Sequence, residues 1–158
     1  MRIVDSFLPQ DFFDDMVNRV SSESFPWFYM NYVADKSDSS DSYLIHTLYS
    51  SFKPNSEMFN AIGPILDLIK PKALLRCRVI SYIRRDVLIE HARHVDFDFP
   101  HNTCILYLNT NNGFTRLEDG EQVMSVANRA LFSDGGAMHN SSNCTDAKRR
   151  LVLTFNYF

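Results

Sequence analysis

A chain of 158 residues, 45% hydrophobic and 22% charged, has the size and composition of one globular domain and is not a disordered segment. Its net charge of −3, with one short basic run at Lys148-Arg149-Arg150, argues against nucleic acid as a main partner. No stretch approaches the roughly 20 apolar residues of a membrane span, and the opening MRIVDSFLPQDFF lacks a signal-peptide apolar segment, so no membrane partner and a cytoplasmic location are expected.

Aromatic residues make up 13% of the chain, with 13 Phe and 7 Tyr, a bias toward strands packed as sheets. The first helix is expected over Pro9–Ser22, where Phe12, Phe13, Met16, Val17 and Val20 recur at helical spacing. Residues Phe25 to Tyr32 form a dense aromatic patch, suited either to a substrate mouth or to packing a helix onto a sheet. The polar stretch Asp35–Ser42 reads as a loop. A second helical run, Ser56–Lys70, ends at Pro71 and carries Pro64, which predicts a kink or a break into two shorter helices.

From Lys72 the texture changes to short apolar runs between turn residues. Strands are expected over Leu74–Arg84, Thr103–Asn109, Gly113–Glu118, Gln122–Val126, Arg129–Ser133 and Arg150–Tyr157. Asn111-Asn112-Gly113 and Glu118-Asp119-Gly120 read as hairpin turns. The expectation is a single α+β domain over residues 1–158, mainly β, with a helical part at 1–71 and a sandwich or barrel-like double sheet at 72–158. Cys77, Cys104 and Cys144 are odd in number and scattered, which excludes a disulfide framework and a CxxC zinc site.

The residues that carry chemistry lie in this second part. On an extended chain His94 and Asp96 point to one face and can offer a nitrogen and an oxygen to one metal, although an isolated HxD is a common chance pattern. His139 follows 43 residues later, after the loop Asp134-Gly135-Gly136-Ala137. Two histidines and a carboxylate make a facial triad with open positions, the donor set of non-haem iron. Arg150 opens the apolar strand RLVLTFNYF, where a guanidinium needs either solvent or a bidentate carboxylate partner. His46, His91 and His101 carry no assigned role, and solvent exposure is the expectation for each.

This order of HxD, distal His and a basic residue some ten positions later resembles the Fe(II)- and 2-oxoglutarate-dependent dioxygenases of the prolyl 4-hydroxylase-like branch. The resemblance extends through Cys104-Ile105-Leu106-Tyr107-Leu108-Asn109, Asn112-Gly113-Phe114-Thr115, Arg129–Asp134 and Arg150–Phe155, covering roughly Leu74 to Phe158. It implies a double-stranded β-helix, a jelly-roll of the cupin kind. It implies iron held by His94, Asp96 and His139, and Arg150 on the distal carboxylate of 2-oxoglutarate. Arg149 is the alternative in a shifted register, and aligning the last strand without gaps selects Arg150. Tyr107, Thr154 and Tyr82 would line the co-substrate pocket, with dry walls from Ile105, Leu131, Phe132 and Val152. The implied activity is hydroxylation of a C–H bond using Fe(II), 2-oxoglutarate and O2, with a prolyl residue in a peptide or protein, or a small molecule, as substrate. The other readings are a non-catalytic jelly-roll binding protein and a cupin-type metalloenzyme that does not use 2-oxoglutarate.

Overall fold

The computed structural model describes residues 1–34 and 41–158, so most of the expected loop Asp35–Ser42 lies outside the described residues. The chain runs β1 (Arg2–Val4), α1 (Gln10–Ser21), β2 (Phe28–Met30), β3 (Tyr43–Ser50) and β4 (Lys53–Pro54). A 3-10 turn at Glu57–Ile62 leads into α2 (Gly63–Ile69). Then follow β5 (Leu74–Ile83), β6 (Asn102–Tyr107), β7 (Phe114–Arg116), β8 (Gln122–Met124), β9 (Arg129–Asp134), β10 (Asn140–Ser141) and β11 (Arg149–Tyr157).

Helix α1 forms directly after Pro9, and its apolar stripe buries Phe13, Met16 and Val20. The second helical run divides at Pro64. Proline has no N–H to give a preceding carbonyl, so it sits in the first turn of α2, where that donor is dispensable. The region expected to be helical therefore also supplies β1 to β4, which is a correction to the sequence reading. These strands were hard to see because three of them are only two or three residues long. In β3 both faces carry buried residues, which erases the alternation a strand usually shows.

The large sheet has the order β1-β9-β6-β11-β5-β3-β2, with β4 paired to β3, and its strand pairs are antiparallel. Strand parity divides its side chains between two cores. Leu151, Leu153 and Phe155 of β11, with Cys77, Val79, Cys104 and Leu106, pack against α1 and α2. Val152 of β11, with Ile80, Tyr82, Ile105 and Tyr107, faces the other way, toward the small sheet.

The small sheet pairs β10-β7-β8, and two isolated bridge pairs, Glu90 with Ser142 and His94 with His139, extend it. Glu118-Asp119-Gly120 turns the β7–β8 hairpin as expected, with Gly120 at φ 89°. Asn111-Asn112-Gly113 does not: β6 pairs with β11 and β9, and this turn carries the chain from the large sheet to the small one. Gly113 is required there by space, since a Cβ would sit 2.5 Å from Arg150 Cδ and closer still to the Asn143 carbonyl oxygen.

Candidate metal centre

His94 and His139 exchange both backbone hydrogen bonds, N–H to carbonyl at 2.9 and 3.0 Å. A bonded antiparallel pair puts its two side chains on the same face of the sheet. The imidazoles accordingly lie together, ring centres 4.6 Å apart, at the open edge of the small sheet. Asp96, two residues after His94, turns onto the same side, and one donor atom from each of the three residues lies within 4.8 Å of the others.

Each histidine Nδ1 faces a carbonyl oxygen, that of Ala92 at 3.3 Å for His94 and that of Ala137 at 3.0 Å for His139. A carbonyl only accepts, so the proton sits on Nδ1 and the Nε2 lone pair is left for a metal. Burial, reinforced by His139, pushes the His94 pKa down and favours this neutral form. Burial alone would raise the Asp96 pKa, but the Arg76 and Arg78 guanidiniums override it and hold the carboxyl at about 2. Two imidazoles offering Nε2 and an ionised carboxylate suit a borderline divalent ion such as Fe(II) and leave coordination positions open.

The carboxylate is steered by groups that the sequence reading did not assign. Asn156 Nδ2 donates to Asp96 Oδ2 at 2.8 Å, and Arg76 Nη2 donates to Oδ1. Arg76 Nε also reaches Asn156 Oδ1 at 3.0 Å, so the three side chains form one closed set. The available signal was parity. Asn156 shares a face of β11 with Arg150 and Thr154, and Arg76 and Arg78 share a face of β5 with Tyr82.

Behind the triad a narrow chamber of about 40 Å³ runs between the sheets to Arg150. One water needs about 10–15 Å³ of such space, so the chamber has the volume of about three waters, the bulk of a short acid arm. Arg150 is 1% exposed, and its guanidinium donates to Ser125 Oγ at 2.7 Å, Thr115 Oγ1 at 3.0 Å and the Ser142 carbonyl at 3.1 Å. Tyr82 and Tyr107 place their ring centres 5.1 and 5.6 Å from it. The Tyr107 hydroxyl donates to Thr115 Oγ1 at 2.9 Å. Tyr82 and Thr154 line the chamber beside Val152 and Ile105. Arg149 points to the opposite face, half-buried with its guanidinium 5.7 Å from the Trp27 ring, and does not enter the chamber or stand free in solvent.

Two sequence expectations are corrected here, the shared wall and the exposed histidines, and a third, the aromatic patch, is divided between its two readings. Leu131 and Phe132 are neighbours on one strand and cannot share a wall. Leu131 joins the core between the sheets, whereas Phe132 packs on the helix side against Phe7. His46, His91 and His101 are buried, not exposed. His46 bridges the Pro26 carbonyl and Ser56 Oγ, each at 2.7 Å, and His101 Nε2 lies 3.3 Å from Asn156 Nδ2. His91 lies between Ser141 Oγ at 2.9 Å and Asp41 Oδ2 at 3.2 Å. The aromatic patch is split, with Phe25 and Trp27 packed on the helix-side core and Phe28 and Tyr29 exposed.

A second chamber of about 360 Å³ opens outside the triad, and Arg78, Ile80, Tyr82, His94 and Asp96 border both spaces. No protein-family model matches the sequence, and no curated protein matches it. Solved structures do match in shape. A Pseudomonas putida prolyl-4-hydroxylase superposes with TM-score 0.66 at 18% identity, covering 99% of this chain and 91% of that one. A Trichoplax adhaerens prolyl hydroxylase, solved with a hypoxia inducible factor peptide fragment, gives 0.69 at 16% identity over 99% and 82%. The epimerase SnoN of nogalamycin biosynthesis, described as non-haem and α-ketoglutarate dependent, gives 0.70 at 16% identity over 99% and 76%. The chain has the fold of the iron and 2-oxoglutarate oxygenases. Within that oxygenase fold, the jelly-roll expected from the sequence is the observed arrangement of sheets. Among the described residues, no helix is long and apolar enough to cross a membrane.

Proposed function

We propose that this protein is an Fe(II)- and 2-oxoglutarate-dependent oxygenase that hydroxylates a C–H bond. The observation that carries the reading is Arg150, a buried guanidinium at the closed end of a chamber whose mouth is a His-Asp-His set. A buried arginine aimed down such a chamber answers the need of a dicarboxylate bound by one end and chelating at the other. A metal-only reaction has no use for it.

In this reading His94, Asp96 and His139 hold iron and leave an open side for co-substrate and O2. Bound iron and 2-oxo acid supply the oxidising chemistry, in which the atoms of O2 are divided between succinate and the substrate. The chain's part is placement. Arg150 grips the distal carboxylate, and Thr115, Ser125 and the Ser142 carbonyl hold Arg150. Ile80, Ile105 and Val152 keep the inner chamber dry. Asn156 and Arg76 fix the Asp96 carboxylate so that it meets the metal in one orientation. Substrate, whether a peptide, a protein or a small molecule, enters through the outer chamber. A prolyl side chain is one substrate this reading admits.

The test is anaerobic addition of Fe(II) and 2-oxoglutarate, watching for the visible charge-transfer band of the chelate. A band in the parent protein, lost in Asp96→Ala and weakened in Arg150→Gln, is the expected result. No band in demonstrably folded protein overturns the reading and favours the metal-only or binding-module alternatives.

A further inference from the structure

Charge in the two chambers is strongly one-sided. Their lining carries three arginines, Arg76, Arg78 and Arg150, against a single carboxylate, Asp96, among the described residues. This occurs in a chain whose net charge is −3, so the cations are concentrated at this place. Two of the three are already engaged. Arg150 has its three acceptors and, in the oxygenase reading, serves the co-substrate in the inner chamber. Arg76 is bound to Asp96 and Asn156 and lies with its guanidinium 4.6 Å from the Phe97 ring centre.

Arg78 differs from both. It projects from β5 at the junction of the inner and outer chambers, beside the triad. Its Nε is buried with no hydrogen-bond partner among the described residues, a condition that costs free energy unless a ligand answers it. Its one side-chain anion contact among the described residues is Nη2 to Asp96 Oδ1 at 3.5 Å, and that oxygen is also taken by Arg76. The space in front of it holds about 360 Å³, with Met30, Val33 and Ile45 as apolar wall and Tyr43 as a buried aromatic one.

We propose that Arg78 anchors the carboxylate of a small organic acid whose apolar or aromatic body fills the outer chamber, and that such an acid is the substrate class. The binding site stands on the geometry of Arg78 alone, and the word substrate rests on the oxygenase reading. A guanidinium accepts a carboxylate through parallel N–H donors, and the free Nε edge of Arg78 with its Nη2 is the fork that such a pair uses. Anchored there, the acid's carbon chain passes the His94 and Asp96 side of the metal set, which borders the same chamber.

The probe is 3-phenylpropionate, compared with its neutral isostere 3-phenylpropanamide. Each is titrated into the full chain without added metal or 2-oxoglutarate, with affinity read from shifts in the protein's amide NMR spectrum. Loss of a charge-assisted pair is expected to make the amide roughly ten- to a hundred-fold weaker than the acid. Arg78→Met should abolish the preference, and Arg78→Lys, which keeps the charge but not the fork, should restore part of it. The same spectra show whether each variant is folded. Equal binding of acid and amide, no binding of the acid at millimolar concentration, or a preference that survives Arg78→Met overturns the proposal. Neither iron nor turnover enters this measurement, so a missing charge-transfer band would sink the oxygenase reading and leave this result standing.

Discussion

Arg150 shows how a single residue can be set before its ligand arrives. Its side chain is pinned by acceptors from three separate parts of the chain, at Ser125, Thr115 and Ser142, so little rotamer freedom remains to be lost on binding. Lysine offers one compact charge and cannot reach those acceptors as a fork does. Arg150→Lys is therefore expected to weaken 2-oxoglutarate at least roughly tenfold in an anaerobic titration and to lower Tm. Asn156 acts on the metal through Asp96, and also donates to Thr103 Oγ1 at 3.1 Å. Asn156→Ala should leave the fold intact and reduce Fe(II) affinity by about 10–100-fold, measured by competition with a chelator. Retention of parental affinity would show that Arg76 alone suffices to orient the carboxylate. Little of this was legible in advance. The three metal-ligand candidates stood out because they are chemically distinctive, whereas Asn156 and Arg78 became visible only when pairing fixed which face of β11 and β5 turns inward.

Among the elements, the small sheet is the thinnest part and depends on side chains to hold its edge. Glu90 accepts from Arg116 on β7 and from Asn140 Nδ2 at 2.8 Å, next to the Glu90–Ser142 bridge. The Arg116 and Asn140 hydrogen bonds pull the Glu90 pKa from its ordinary 4.5 to about 2. The folded value lies below the unfolded one, so this stability is present above pH 4.5 and is lost as pH falls toward 2. Glu90 is 37% exposed, so solvent screens the pair and its contribution is small. Glu90→Gln should lower Tm by no more than a few degrees at pH 7, with the gap closing in acid melts between about 4.5 and 2. Gly113 tests the crossing between sheets. Gly113→Ala has to displace Arg150 or the Asn143 backbone, at a cost of about 1–3 kcal/mol by denaturant titration. The longer strands of the second half were readable because turn residues separate them, whereas the two-residue β10 was not expected. Strands β1 to β4 were not, since β1 and β2 are short edges whose partners, β9 and β3, come from elsewhere in the chain, and a short run carries no period of its own. The turn at Asn111 was misjudged for the reverse reason: a hairpin-type sequence specifies a reversal, not the sheet in which the next strand lands.

At the scale of the whole molecule, one large sheet serves two bodies, with helices on one face and the ligand chambers on the other. Ligands that bind only the folded state stabilise it by mass action. Fe(II) with 2-oxoglutarate at about a hundred times its dissociation constant should add about 2.7 kcal/mol, or roughly 5–10 °C in an anaerobic melt. His139→Ala should show almost none of that shift, and an equal shift in the variant would place the metal elsewhere. The reciprocal backbone bonds between His94 and His139 carry a further consequence. A slip of one residue in that pairing puts the two rings on opposite faces, so a misregistered protein keeps only half of the histidine pair. Loading thus works as proofreading, because only chains whose last sheet has closed in the right frame can accept the ion.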